Sequence, residues 1–127
     1  MLDFAKNEQV GLVDYEPQCT DFIRSYVPVP KTDPWAIRQA AALINNAKRP
    51  FILVGQGVEL GGAQEEVRQL IERADIPAGC TLLGVSALPS DHPLNMGMLG
   101  MHGSLANSVK TQECDVLLAV GKRFADR

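Results

Sequence analysis

Two unbroken apolar runs constrain this chain more than any other feature. They are Phe51-Ile52-Leu53-Val54 and Val116-Leu117-Leu118-Ala119-Val120, and each runs straight into a glycine. Apolar runs of this length without alternation suit strands covered on both faces, as in a parallel sheet between layers of helix. They are far too short to cross a bilayer, which asks for roughly twenty apolar residues. Between and before them lie stretches with helical spacing. Ile37, Ala40, Ala41 and Ile44 fall at i, i+3, i+4 and i+7, and so do Val67, Leu70, Ile71 and Ala74, in a helix expected from about Gly62. Asp33 offers a cap and Pro34 a first helical position for the earlier helix, which Lys48-Arg49-Pro50 closes with positive charge and a breaker. A shorter strand is expected over residues 76–81 and a helix over 105–112.

This alternation of strand and helix predicts the α/β class: a three-layer, Rossmann-like parallel sheet with helices on both faces. One strand order this alternation allows is second-first-third. Three strands are few for that architecture, so the chain reads as a truncated piece of something larger. Residues 83–103 carry Gly84, Gly97, Gly100 and Gly103 with Pro89 and Pro93, and read as loop. Residues 1–33 show no sustained period. Three prolines within residues 27–34 mark an extended connector, which leaves 34–127 as the α/β domain. Fifteen acidic against twelve basic residues give a net charge of -3, which disfavours a basic nucleic-acid module. The first residues lack the basic head and apolar stretch of a signal peptide. Cys19, Cys80 and Cys114 are an odd, scattered set that fits reduced thiols in a cytoplasmic protein, with Cys80 and Cys114 as small core residues.

Several constellations carry chemistry in principle. Gly55-Gln56-Gly57, followed by Gly61, stands where a dinucleotide loop belongs, after a strand and before a helix, although its third glycine comes one residue late. A tight strand-to-helix turn explains the same glycines equally well. Gly84-Val85-Ser86-Ala87-Leu88 approaches a nucleophile elbow but lacks the final small residue, and a plain loop serine is the better reading. His92, His102, Cys80 and Cys114 do not fall at metal-ligand spacings. The stretch Met96-Gly97-Met98-Leu99-Gly100-Met101-His102-Gly103 combines soft apolar side chains with a backbone that permits close approach, suited to a loop over the sheet end or to a planar cofactor ring. Gly121-Lys122-Arg123 follows the last strand. With that strand order, a crevice at the topological switch would lie between it and Gly55-Gln56-Gly57, where Arg123 meets a phosphate or stacks on an adenine. A solvated basic turn is the alternative.

In combination these residues resemble the middle domain of the acetolactate synthase family. The matching pieces are Lys48 to Gly57, Ile76-Pro77, Thr81 to Gly84, His92-Pro93-Leu94, Gly97 to Gly103 with Ala106-Asn107, and Asp115 to Gly121 with Arg123-Phe124 and Asp126-Arg127. Residues 2–9 resemble the end of the preceding domain. The resemblance implies a parent enzyme that uses thiamine diphosphate and Mg²⁺ to decarboxylate pyruvate and to join the two-carbon unit to pyruvate or 2-oxobutyrate, in branched-chain amino-acid synthesis. It further implies FAD bound by the middle domain without net redox work. The implied FAD contacts are Gly55, Gln56 and Gly57; Thr81 and Leu82; Leu99, Gly100, Met101 and His102; Gly121, Lys122 and Arg123; and Arg24 near the connector. Asp126 and Arg127 match an acid-arginine pair at the active-site entrance. No catalytic or metal-binding residue is implied within these 127 residues, and the remaining domains, a homo-oligomer and a small regulatory subunit are the implied partners. Ala125 stands where the family usually has Asp, which removes a polar flavin contact. A free-standing nucleotide-binding module is the alternative function.

Overall fold

The computed structural model describes residues 3–17, 24 and 31–124, in two compact units, Met1–Thr32 and Asp33–Arg127. Among the described residues the first unit holds a single 3-10 turn, Glu8–Val10, and otherwise irregular backbone. Most of the expected proline connector, and Cys19, fall outside the described residues.

The second unit is a parallel sheet of four strands, β1 (Pro50–Val54), β2 (Ala78–Cys80), β3 (Asn95–Met98) and β4 (Val116–Val120), in the order β3-β2-β1-β4. Its helices are α1 (Pro34–Asn46), α2 (Gly57–Leu60), α3 (Gln64–Ala74) and α4 (Leu105–Glu113), with a 3-10 helix at Leu82–Ala87. Chain reversal through helices keeps neighbouring strands parallel: Ile52 pairs with Ala78 on one side and with Leu118 on the other. The three expected strands thus stand in the second-first-third order. The fourth, β3, is a correction to the loop expected at 83–103. Nothing in Asn95-Met96-Gly97-Met98 favours a strand locally, and pairing with β2, through a register irregularity, fixes it there.

Alternation along β1 sends side chains to two layers. Ile52 and Val54 pack with Val67 and Ile71 of α3 and with Ala78 and Cys80, all nearly inaccessible. Phe51 faces the other layer, where the Asn107 side chain of α4 lies over Gly79 and against the Phe51 ring. Helices therefore cover both faces, which is why β1 is apolar throughout. The second expected helix is α3, and a one-turn helix not expected from the sequence, α2, precedes it; Gly62, at φ 64, lets the chain turn from one into the other. The first helix forms where its cap predicts, with the Asp33 carboxylate accepting from the Trp35 N–H at 2.9 Å. Its apolar stripe, however, is not buried. Ile37 is 59% exposed, and Ile44 alone of that stripe packs on the core.

Candidate functional site at the carboxyl edge of the sheet

Parallel strands deliver all their carboxyl ends to one edge, where open α/β sheets place ligands. Here four loops meet that edge. β1 runs into Gly55-Gln56-Gly57 and β4 into Gly121-Lys122-Arg123, and these two loops are clasped main chain to main chain. The Gly55 N–H donates to Val120 O at 2.8 Å and the Gly57 N–H to Gly121 O at 2.9 Å. A Cβ on Gly57 would lie 2.8 Å from Gly121 Cα, and one on Gly55 or Gly121 would run into the backbone of the opposite loop. The crevice expected between them is therefore filled at its base by peptide. These glycines serve the contact between loops, and the Gly57 N–H is committed to Gly121, not to an anion. What remains accessible above the clasp is Gln56, exposed, with Arg123 exposed and Lys122 half-buried.

The β2 end adds a third loop. The Thr81 N–H donates to Val54 O at 2.9 Å, and Gly84 packs so closely that a Cβ there would sit 2.5 Å from Val54 O. Leu82 and Leu83 consequently turn outward, 70% and 60% exposed. The fourth loop follows β3. Leu99 donates to Cys80 O at 2.8 Å, and a turn closes from the Gly103 N–H to Gly100 O at 2.9 Å, with Gly100 at φ 113. Met101 stands at its tip, 92% exposed, with His102 also exposed. The structure thus gathers twelve of the predicted contact residues along one edge: Gln56 and its flanking glycines, Thr81, Leu82, the 99–102 turn, and Gly121 with its two cations. Arg24, exposed, belongs to the first unit, and Ala125, Asp126 and Arg127 lie outside the described residues.

The edge is positively charged and partly apolar. Among the described residues, neither Lys122 nor Arg123 pairs with a carboxylate. The ion pairs lie elsewhere, from Arg68 to Glu65 and Glu72 on α3, and from His92 to Glu72 at 3.3 Å. Phe124, 69% exposed, follows the two cations.

Sequence reasoning missed the residue that anchors the methionine-histidine turn. Asn107 is fully buried, and its Nδ2 donates to Met96 O at 2.9 Å, tying α4 to β3 across the turn. Ser104 caps α4 through its Oγ, which accepts from the Asn107 N–H at 3.3 Å and donates to the same Met96 carbonyl. The Asn107 Oδ1 has no hydrogen-bond partner, an unusual cost for a buried acceptor. The Ala106-Asn107 pair stood within the motif, but no pattern in the sequence marks its side chain as buried. Other singled-out residues go elsewhere. Ser86 donates to the Glu59 carboxylate at 2.7 Å, not to a histidine. His92 accepts from the Leu94 N–H on Nδ1 at 3.2 Å, which leaves Nε2 as the donor to Glu72. Burial pushes the Cys80 thiol up, away from the reactive thiolate. Cys114 is only half-buried, its thiol against Thr111 O at 3.1 Å. Among the described residues no helix is long and apolar enough to cross a membrane.

A parallel sheet covered by helices on both faces, with its loops gathered at the carboxyl edge, defines the three-layer α/β class. Residues 37–127 match the thiamine pyrophosphate enzyme central domain, and the chain belongs to that family. It is 44% identical over 130 residues to the probable acetolactate synthase large subunit of Methanocaldococcus jannaschii, covering 99% of this chain and 22% of that one. It is 38% identical over 127 residues to the acetolactate synthase isozyme 2 large subunit of Escherichia coli, and 40% over 126 to the isozyme 1 large subunit. These cover 100% and 99% of this chain, and 22% of each relative. The chain thus spans about a fifth of the length of the curated relatives it matches. The likeness to acetolactate synthase read from the motifs is borne out across the chain.

Proposed function

We propose that this chain is the FAD-binding part of an acetolactate synthase. The observation that carries the reading is the character of the carboxyl edge. Two cations, Lys122 and Arg123, that meet no carboxylate among the described residues share it with the exposed apolar side chains of Leu82, Met101 and Phe124. FAD has the complementary make-up, a diphosphate between an apolar ring system and an adenine. In this reading Lys122 and Arg123 face the diphosphate. Leu82, Leu99, Met101 and the exposed glycine backbone of Gly57 and Gly100 line the rings, with Gln56, Thr81 and His102 as polar contacts. Gly55 and Gly121 act through the clasp that sets the edge. By the family motif, Arg24 is assigned to the flavin, and Asp126 and Arg127 to the entrance to the active site of the longer protein. Thiamine diphosphate and Mg²⁺ are held by other domains of a longer, cytoplasmic chain, which assembles as a homo-oligomer with a small regulatory subunit. That assembly condenses two pyruvates, or pyruvate with 2-oxobutyrate, with loss of CO₂. The 127-residue chain forms no acetolactate by itself.

Titrating the chain into FAD and following flavin fluorescence tests the reading. A one-sided edge without deep enclosure predicts weak binding, with a Kd of about 0.1–1 mM. Replacing both Lys122 and Arg123 by Ala should weaken it by about tenfold, the scale of lost charge-assisted contacts. Equal affinity in the double variant, or no binding at any concentration, would contradict it.

A further inference from the structure

We propose that Asn107 is a positioning residue for the carboxyl edge: it locks a bulge in β3 and so fixes the direction in which the 99–102 turn leaves the sheet. The consequence for flavin affinity rests on the FAD reading above, whereas the lock itself does not.

The bulge lies in the register of β3 on β2. Asn95 pairs with Ala78 and Met98 with Cys80, so that two residues, Met96 and Gly97, stand opposite the single Gly79. An extra residue of this kind takes backbone groups off the ladder and bends the strand that carries it. The groups freed here find side chains. The Gly97 N–H donates to Asn95 Oδ1 at 2.8 Å, and the Met96 carbonyl accepts from Asn107 Nδ2 at 2.9 Å and from the Ser104 hydroxyl at 3.3 Å. A Cβ on Gly97 would meet nothing within 4 Å, so no steric wall holds this residue at its φ of 85. Hydrogen bonds keep the bulge in place.

Of the three side chains that make them, only Asn107 is fully buried. Its seat is cut from the sheet side by Gly79, where a Cβ would lie 2.6 Å from Asn107 Oδ1 and 3.0 Å from the Phe51 ring. The bulge, the bare Gly79 and the Asn107 amide therefore share one space between the sheet and α4. The stranded Oδ1 is the cost of seating that amide where its Nδ2 reaches the bulge.

The turn starts where the bulge ends. The Leu99 N–H donates to Cys80 O at 2.8 Å, and the Ser104 N–H returns to Met98 O at 3.0 Å. Gly103 packs against Met98 O and Gly100 N too closely to admit a Cβ. The neck of the turn is thus tight, and its tip points where the bulge aims the neck. Freeing the bulge lowers the fraction of molecules with the turn in place, and the apparent Kd of a ligand that needs it rises in inverse proportion.

Amide exchange and FAD titration, followed by NMR where each variant is folded, test this. In the wild type the Asn107 side-chain amide should exchange as slowly as the Leu99 and Gly103 amides, because one structure protects all three. In flavin-free Asn107→Ala the Leu99, Gly103 and Ser104 amides should exchange about tenfold faster relative to those of Gly55 and Gly57 in the clasp. Its Kd for FAD should rise about threefold or more. Asp115→Asn, at the far end of the sheet, is the control for lost stability and should leave both the ratio and the Kd at wild-type values. A freely exchanging Asn107 side chain overturns the proposal, even if Asn107→Ala fails to fold. So does a folded Asn107→Ala that keeps the wild-type ratio, or one that frees the turn and keeps the wild-type Kd. A wild type that binds no flavin defeats the FAD reading, and the amide ratio then decides the lock by itself.

Discussion

Asn107 holds the methionine-histidine turn with one hydrogen bond from a fully buried amide, and leaves its other amide atom unsatisfied. Asn107→Ala removes the Nδ2 donor and strands the Met96 carbonyl, so it should cost about 1–3 kcal/mol in urea unfolding. Asn107→Asp should cost more, because it removes the same donor and sets a carboxyl in a fully buried site. Equal stability of wild type and Asn107→Ala would mean that Ser104 alone holds the turn. At the opposite end of the sheet, Asp115 accepts from the Lys48 N–H at 2.7 Å and the Arg49 N–H at 2.9 Å, and these two bonds lower its pKa. A carboxyl depressed on folding contributes stability above its unfolded value, near 3.8, and loses that contribution as pH falls through the folded value. Asp115→Asn should therefore be less stable than wild type at neutral pH, with the gap closing below about pH 4. Glu65, lowered by Gln69 and Arg68, adds to the acid sensitivity in the same direction but is untouched by the substitution. A gap that stays constant from neutral to acid pH would contradict this role for Asp115.

At the scale of elements, the clasp between the β1 and β4 loops is the feature that sets the carboxyl edge. Gly57→Ala should destabilise the chain by about 1–3 kcal/mol through overpacking against Gly121. Gly121→Ala should cost more, since it adds a positive φ to the same clash. Gly62→Ala is the internal control: its φ is 64 but nothing lies within 4 Å, so the cost should stay near 1 kcal/mol. Thermal unfolding of the three variants decides the ranking. The same loops show what the sequence discloses and what it conceals. Glycines at 55, 57 and 121 announce a place where something approaches the backbone closely. Spacing alone does not say whether that something is a ligand or another peptide, and here it is another peptide. Strand β1 was legible because burial on both faces leaves a continuous apolar run, and β4 carries the same kind of run although it is only half-buried here. β3 was not, because Asn95-Met96-Gly97-Met98 owes its conformation to its neighbour. α1 was legible as a helix from its cap and period, but periodicity does not tell whether an apolar stripe finds cover.

For the whole molecule, membership of the thiamine pyrophosphate enzyme central-domain family rests on residues 37–127, and the parallel sheet has the α/β character that the alternation of strands and helices predicts. The proposed function rests on the carboxyl edge, where charge and apolar exposure coincide. Part of that edge was visible as motif: Gly121-Lys122-Arg123 and the methionine-histidine turn both stood out by composition. Leu82 and Leu83 stood within a motif, but their exposure was not legible, because it follows from Gly84 packing on Val54. The central claim is that FAD contacts this edge, and amide chemical-shift mapping of the chain during a millimolar FAD titration tests it most directly. Shifts should concentrate at Gln56, Leu82, residues 99–102 and Lys122-Arg123, and leave the amino-terminal ends of the strands, including Lys48 and Asp115, unmoved. Shifts confined to that opposite end, or none anywhere at saturating flavin, would contradict it.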